Sequence, residues 1–420
     1  MSGMSEHEPD VLILGGGVIG LACAHYLLQA GRSVRVLERD KVGAATSHGN
    51  CGTITPSHAS PLAAPGVIAK SLKSMLHPDA PLYIKPRLDL ALASWLLNFA
   101  ARCNRHDWRR TAMSKGAMLQ ASRQLLETLI RDQQLDCEFQ ASGLNYVYRT
   151  EQAFARDRGD IAGLREFGIE SRLLDGAALA AGEPALLPGM AGAIHFPGDA
   201  HLRPDRFTAE LARVIREQGG IIEEQVAVND LSLEGGRVRS VSTSAGMRRG
   251  REILVALGPW SAPMLERLGL RLPVQPGKGY SITYARPSLA PRIPLVLRER
   301  SVCVTAWGSG FRLGSTMEFS GYDQSLNRVR LEALERGSRE YLREPVGPQK
   351  LEEWYGWRPM TYDDLPILGR APNHENLWLA TGHGMMGMGM SAITGHLLAD
   401  LITGRSPVID PGPSSPTRFA

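Results

Sequence analysis

The sequence predicts an α/β protein in which a Rossmann-type domain is interleaved with an α+β domain built on a mostly antiparallel sheet. Three observations lead there. A glycine-rich turn follows a buried strand near the start. A glycine-punctuated meander from Ala227 to Ala256 leads back into a second buried strand. Strand-like runs then dominate from Leu272 to about Arg343. The expected first domain is discontinuous, over 8–85, 150–265 and 345–405, and the second takes 86–149 and 266–344. Residues 406–420, rich in proline and serine, are expected as a tail lying on the surface.

The first element is Val11–Leu14, four apolar residues that suit a strand buried on both faces. Gly15, Gly17 and Gly20 follow in G-x-G-x-x-G register, Val18 and Ile19 lie between the glycines, and Leu21–Ala30 continues as a helix that Gly31 stops. Ser33–Leu37 reads as a second strand ending at the acid Glu38, with Arg39 beside it. Gly15 permits a tight turn, Gly17 lets the backbone approach a pyrophosphate, and Gly20 lets helix pack on strand. The helix N-terminus favours the diphosphate, and Glu38 accepts hydrogen bonds from ribose hydroxyls. The polar, glycine-rich loop Ala44–Gly52 then suits the ribityl chain and second phosphate of an extended cofactor. That favours FAD over a nicotinamide dinucleotide.

Further along, Pro56, Pro61 and Pro65 mark an extended loop, followed by helical segments to about residue 135. Within them Leu90–Ala101 is the most apolar helix, expected in the core or an interface rather than on a membrane surface. Gly143–Thr150 alternates as a strand should. Pro204–Gln218 is amphipathic, with Phe207, Leu211, Val214 and Ile215 on one face, and Ile221–Val228 returns as a strand. Turns at Gly235-Gly236 and Gly246 divide the meander, which closes on the buried run Ile253–Gly258. Beyond Trp354 the expected order is glycine-rich loop, the strand Leu377–Ala380, a second glycine-rich loop, and a helix through about Ile402.

Composition narrows the function classes. The net charge of +4 comes with no long basic run, so nucleic acid is not an expected partner. Five scattered cysteines without a C-x-x-C pair argue against a disulfide framework or a metal site and for a reducing compartment. No signal peptide and no run of about 20 apolar residues is apparent. The expected location is therefore cytoplasmic, or peripheral at the inner face of the plasma membrane.

Four blocks in order resemble the D-amino-acid oxidase/dehydrogenase superfamily of FAD enzymes, and within it the bacterial D-amino-acid dehydrogenases. They are the fingerprint through Glu38; Thr46–Gly52 running into Ala59–Gly66; Pro276–Tyr280 followed by Gly314–Asp323; and Gly356–Gly369 ending in Asn376–Gly384. Two departures stand out: Thr361–Pro366 alters the usual turn, and His48 replaces a residue that is more often apolar or aromatic.

The resemblance implies FAD-dependent hydride transfer from the Cα of a D-amino acid to flavin N5, with a quinone, another carrier or oxygen as electron acceptor. It places the substrate-carboxylate arginine at Arg358, where a guanidinium gives a bidentate pair. Tyr280 and His48 are the other candidate catalytic residues, and Lys278 either sits near the flavin or is exposed. The expected cofactor set is Gly15, Gly17, Val18, Ile19, Gly20, Glu38, Arg39, Thr46, Ser47, Asn50, Cys51, Gly52, Val226, Gly258, Gly384, Met385, Met386, Gly387 and Met388. The methionines there either line an adaptable substrate pocket or fill core, and His383 contacts flavin or substrate or is structural. A cyclic D-imino acid, cis-4-hydroxy-D-proline or D-proline, is the favoured substrate, with His48 or Ser47 as partner for a ring hydroxyl. The alternatives are a glycine/sarcosine-type oxidase and a non-catalytic flavin-binding subunit.

Overall fold

A computed structural model describes residues 8–68 and 82–419; the part of the expected 8–85 segment over 69–81 lies outside the described residues. Val11–Leu14 is the centre of a six-stranded sheet in the order Ile367–Arg370, Leu377–Thr381, Glu252–Val255, Val11–Leu14, Val34–Leu37, Ile221–Glu223. All neighbours run parallel except the edge strand Ile367–Arg370. Alternation along the central strand assigns its faces. Val11 and Ile13 pack beneath the helices Val18–Gln29, Arg105–Asp132, Pro204–Glu217 and Gly387–Thr403. Leu12 and Leu14 face the meander Val228–Glu234, Arg237–Thr243, Gly246–Arg248 through Leu231, Val238 and Val241. A strand buried on both faces needs this double cover.

The second sheet has nine strands among the described residues. Its path is Lys350–Thr361, Val274–Tyr284, Gly310–Phe319, Val302–Trp307, Leu295–Leu297, Leu144–Tyr148, Gly192–Phe196, Arg172–Asp175, with Leu82–Ile84 beside Gly310–Phe319. Pairing is antiparallel except at Leu295–Leu297/Leu144–Tyr148 and Leu82–Ile84/Gly310–Phe319. The two sheets are the expected Rossmann-type unit and mostly antiparallel unit.

Several expectations are corrected. The divisions at 150 and 345 do not follow the sheets, because Arg172–Asp175, Gly192–Phe196 and Lys350–Thr361 all join the second one. Pro359 disguised the last of these as loop, yet proline is tolerated because the strand lies at the sheet edge. Ile221–Val228 stops at Glu223, and the chain restarts as a meander strand at Val228. The helix Leu90–Arg102 does pack Leu92 and Trp95 into a buried cluster with Phe319 and Met360, as a core or interface helix should, while Leu90 and Leu97 are exposed. The tail is not merely superficial. Ser414 and Pro416 are buried, and Arg418 Nε donates to Asp363 Oδ2 at 2.8 Å.

Candidate active site

Between the two sheets runs a cavity of about 2530 Å³. That exceeds the ~300–1,000 Å³ of ordinary small-ligand pockets and leaves room for a dinucleotide together with a second molecule. The fingerprint glycines meet it in different ways. A Cβ on Gly20 would fall 1.9 Å from the Gly15 carbonyl oxygen, and one on Gly15 would fall 2.5 Å from that of Ala256. Those two positions are closed by the protein itself. A Cβ on Gly17 would meet only Ser47 Oγ, at 3.5 Å, so the space that Gly17 keeps open is cavity space. This is the cradle a diphosphate requires, and the residues fit FAD.

Around that cradle the loop is fixed by its own hydrogen bonds. Val18 N–H donates to Ser47 Oγ at 3.0 Å, Gly52 N–H to Asn50 Oδ1 at 2.7 Å, and Thr46 Oγ1 to the Trp357 carbonyl at 2.6 Å. Glu38 is aimed by Gly16 N–H on Oε2 (2.8 Å) and Asp40 N–H on Oε1 (3.0 Å). Arg39 lies 4.2 Å over the Trp260 ring. Gly15, Gly17, Val18, Ile19, Glu38, Arg39, Thr46, Ser47, Asn50 and Cys51 line the cavity. Val226, Gly258, Gly384, Met385, Met386, Gly387 and Met388 line it as well. Gly20 and Gly52 stand behind the wall, where a Cβ on Gly52 would strike the Leu202 carbonyl at 1.9 Å.

Arg358 rises from the edge strand into the same cavity. Its Nη1 donates to the Thr316 carbonyl at 2.8 Å, and no carboxylate among the described residues neutralises it. Burial works against its charge. Such a cation facing a cavity is poised for an anionic ligand. Tyr280 is buried, and its hydroxyl donates to Glu318 Oε2 at 3.1 Å. Burial and that carboxylate together push its pKa up. His383 also lines the cavity, its Nε2 within 2.9 Å of Thr394 Oγ1, and burial holds it neutral with a pKa of about 3.

Two placements are corrected. His48 does not line the cavity: its Nε2 pairs with Glu352 Oε1 at 2.8 Å on the edge strand, which turns the ring away. Lys278 is neither at the cavity nor exposed; it is buried, with its ammonium on the Ser325 carbonyl and 4.6 Å over the Tyr355 ring.

Sequence reasoning missed Arg312, which is buried and donates from Nη1 to the carbonyls of His48 (2.9 Å) and Asn50 (2.8 Å), holding the cofactor loop. It also missed Lys115, buried on Asp364 Oδ2 at 2.5 Å, which with Arg418 locks the altered turn after Arg358. Arg312 stood out as a cation inside an otherwise core-forming strand, whereas Lys115 sits among many charged residues of its helix and gave no sign.

Comparison with known proteins agrees with this geometry. Residues 10–401 match the DAO family of FAD dependent oxidoreductases, and the chain belongs to that family. It is thus an FAD-dependent oxidoreductase. A D-amino acid dehydrogenase of Chromohalobacter salexigens is 38% identical over 98% of this chain and 100% of its own length. Another, from Methylobacterium nodulans, is 35% identical over 95% of this chain and 96% of its own length. Among solved structures, glycine oxidase from Geobacillus kaustophilus superposes with a TM-score of 0.78 at 23% identity, over 98% of this chain and 99% of its own, a likeness of fold.

Proposed function

We propose that this enzyme oxidises a D-amino acid to its imine, which water hydrolyses to a 2-oxo acid and ammonia; a cyclic substrate would leave a pyrroline. The observation that carries the reading is Arg358, a cation in the cavity wall with no carboxylate partner among the described residues. The names of the nearly full-length relatives support the D-series. FAD, when bound, supplies the hydride acceptor. The chain's own residues bind and orient: Arg358 takes the substrate carboxylate, fixing where Cα lies. Tyr280 lines the same cavity with its hydroxyl proton already given to Glu318.

Within this class the reading favours a ring-closed amine, D-proline or cis-4-hydroxy-D-proline. The wall beside Arg358 is apolar and aromatic, built by Trp95, Phe319 and Met360, and suits a ring body. A ring hydroxyl finds no partner in His48, which is turned away, and Ser47 Oγ already accepts from Val18. Electrons pass to a quinone, another carrier or oxygen. Among the described residues no helix is long and apolar enough to cross a membrane. Exposed Leu88, Leu90 and Leu97 support peripheral contact with the inner face of the plasma membrane by a cytoplasmic enzyme. Steady-state comparison of cis-4-hydroxy-D-proline, D-proline, D-alanine and sarcosine tests the substrate. A tenfold preference for D-alanine would remove the cyclic assignment, and a preference for sarcosine would favour an N-methyl amino acid oxidase.

A further inference from the structure

The antiparallel pairing of Val274–Tyr284 with Gly310–Phe319 slips by one residue at a single place. Lys278 faces Glu318 and Tyr280 faces Ser315, so Gly279 alone stands opposite Thr316 and Met317. This is a β-bulge, and its backbone is unusual. Ser315 has φ +137° and Thr316 has φ +63°. The second value is the left-handed region, which a β-branched residue enters only when its surroundings hold it there. The consequence is local: the Thr316 carbonyl turns to accept from Arg358 Nη1 at 2.8 Å.

Gly279 completes the arrangement from the other side. A Cβ there would lie 2.3 Å from Arg358 Nη2, 2.4 Å from Cζ and 2.5 Å from Nη1. The guanidinium therefore rests on bare backbone, with one edge tied to the bulge carbonyl. An arginine on a long flexible stem must otherwise be ordered at each binding event, and a fixed one avoids that cost. We propose that Gly279 and Thr316 are positioning residues, a bulged seat that fixes the Arg358 guanidinium for the substrate carboxylate. The inference rests on the assignment of Arg358 as the anchor.

The test uses the FAD-loaded full chain and two readouts, steady-state kinetics on the best D-amino acid and binding of acetate followed by the flavin spectrum. Acetate carries the carboxylate alone, so it reports on the seat even if no D-amino acid turns over. Gly279→Ala is expected to raise KM, lower kcat/KM by about a hundredfold and weaken acetate to a similar degree. Its melting temperature should hold, because the atoms displaced are the end of a flexible side chain. In an Arg358→Ala background the same substitution should do nothing further. Thr316→Gly frees the bulge backbone to turn its carbonyl away from Arg358, so it should weaken acetate and raise KM in the same direction as Gly279→Ala, with flavin content unchanged.

Wild-type KM and acetate affinity in Gly279→Ala would overturn the proposal, as would a loss that persists without Arg358. Wild-type acetate affinity and KM in Thr316→Gly would remove Thr316 from the seat. If acetate follows these expectations while no D-amino acid is oxidised, the seat stands and the substrate reading falls.

Discussion

Gly17 and Gly20 belong to one motif yet are glycine for different reasons, and substituting each with alanine separates them. At Gly20 a Cβ would sit 1.9 Å from the Gly15 carbonyl oxygen and 3.1 Å from its carbon. Backbone cannot yield cheaply there, so Gly20→Ala should cost about 3 kcal/mol or more and yield little soluble protein. At Gly17 the new methyl would have only Ser47 Oγ within reach, at an ordinary 3.5 Å. Gly17 has φ −73°, which any residue adopts. The fold of Gly17→Ala should therefore hold, or gain a few tenths of a kcal/mol from a stiffer unfolded chain. Its methyl nevertheless points into the cradle, so FAD affinity should fall by on the order of a hundredfold, about 2.7 kcal/mol. Purified Gly17→Ala should be colourless, with a melting temperature equal to that of wild-type protein stripped of flavin. A yellow Gly17→Ala with a full flavin complement would mean that Gly17 does not face cofactor space, and a Gly20→Ala as stable as wild type would mean that backbone does not close that position.

Arg358→Lys keeps the charge but loses the planar fork, so kcat/KM should fall by about 2–4 kcal/mol while flavin content is unchanged; an Arg358→Ala enzyme with wild-type kinetics would remove the anchor. Acid precipitation should release the flavin into the supernatant; colour kept in the pellet would instead mean a covalent link, for which Cys51 lines the cavity while His48 does not. Asp199 is buried against Ser57, and burial pushes its carboxyl from 3.8 up to about 7. Below about pH 4 both folded and unfolded chains hold this proton, but between about 4 and 7 only the folded one does, so stability is lost as pH rises, by up to about 4 kcal/mol. Urea unfolding across that range should show Asp199→Asn losing less stability than wild type, and equal slopes would exclude the effect.

The cofactor half of the site was legible because its signals are local. Strand, glycine turn, helix and acid all fall between Val11 and Glu38, and each position has a mechanical requirement that sequence can display. The amphipathic period of Pro204–Glu217 was equally plain. The substrate half depends on register, which is not local. The bulge at Thr316 exists only because Gly310–Phe319 pairs out of step with Val274–Tyr284, and nothing in the residue string marks it. His48 illustrates the same limit: its direction is set by Glu352, 304 residues away. The strand Lys350–Thr361 was hidden by Gly356 and Pro359, and the proline- and serine-rich tail gave no sign that Arg418 would lock onto Asp363.

The activity proposed for this cavity is oxidation of D-amino acids anchored on Arg358. Its most direct test is anaerobic mixing of the holoenzyme with matched D-, L- and N-methyl amino acids while flavin absorbance is followed. A D-amino acid should bleach the flavin rapidly, D-proline or cis-4-hydroxy-D-proline fastest, and the L-enantiomers at the same concentration should not bleach it. Bleaching by L-amino acids or sarcosine ahead of every D-amino acid, or by no amino acid at all, would contradict it.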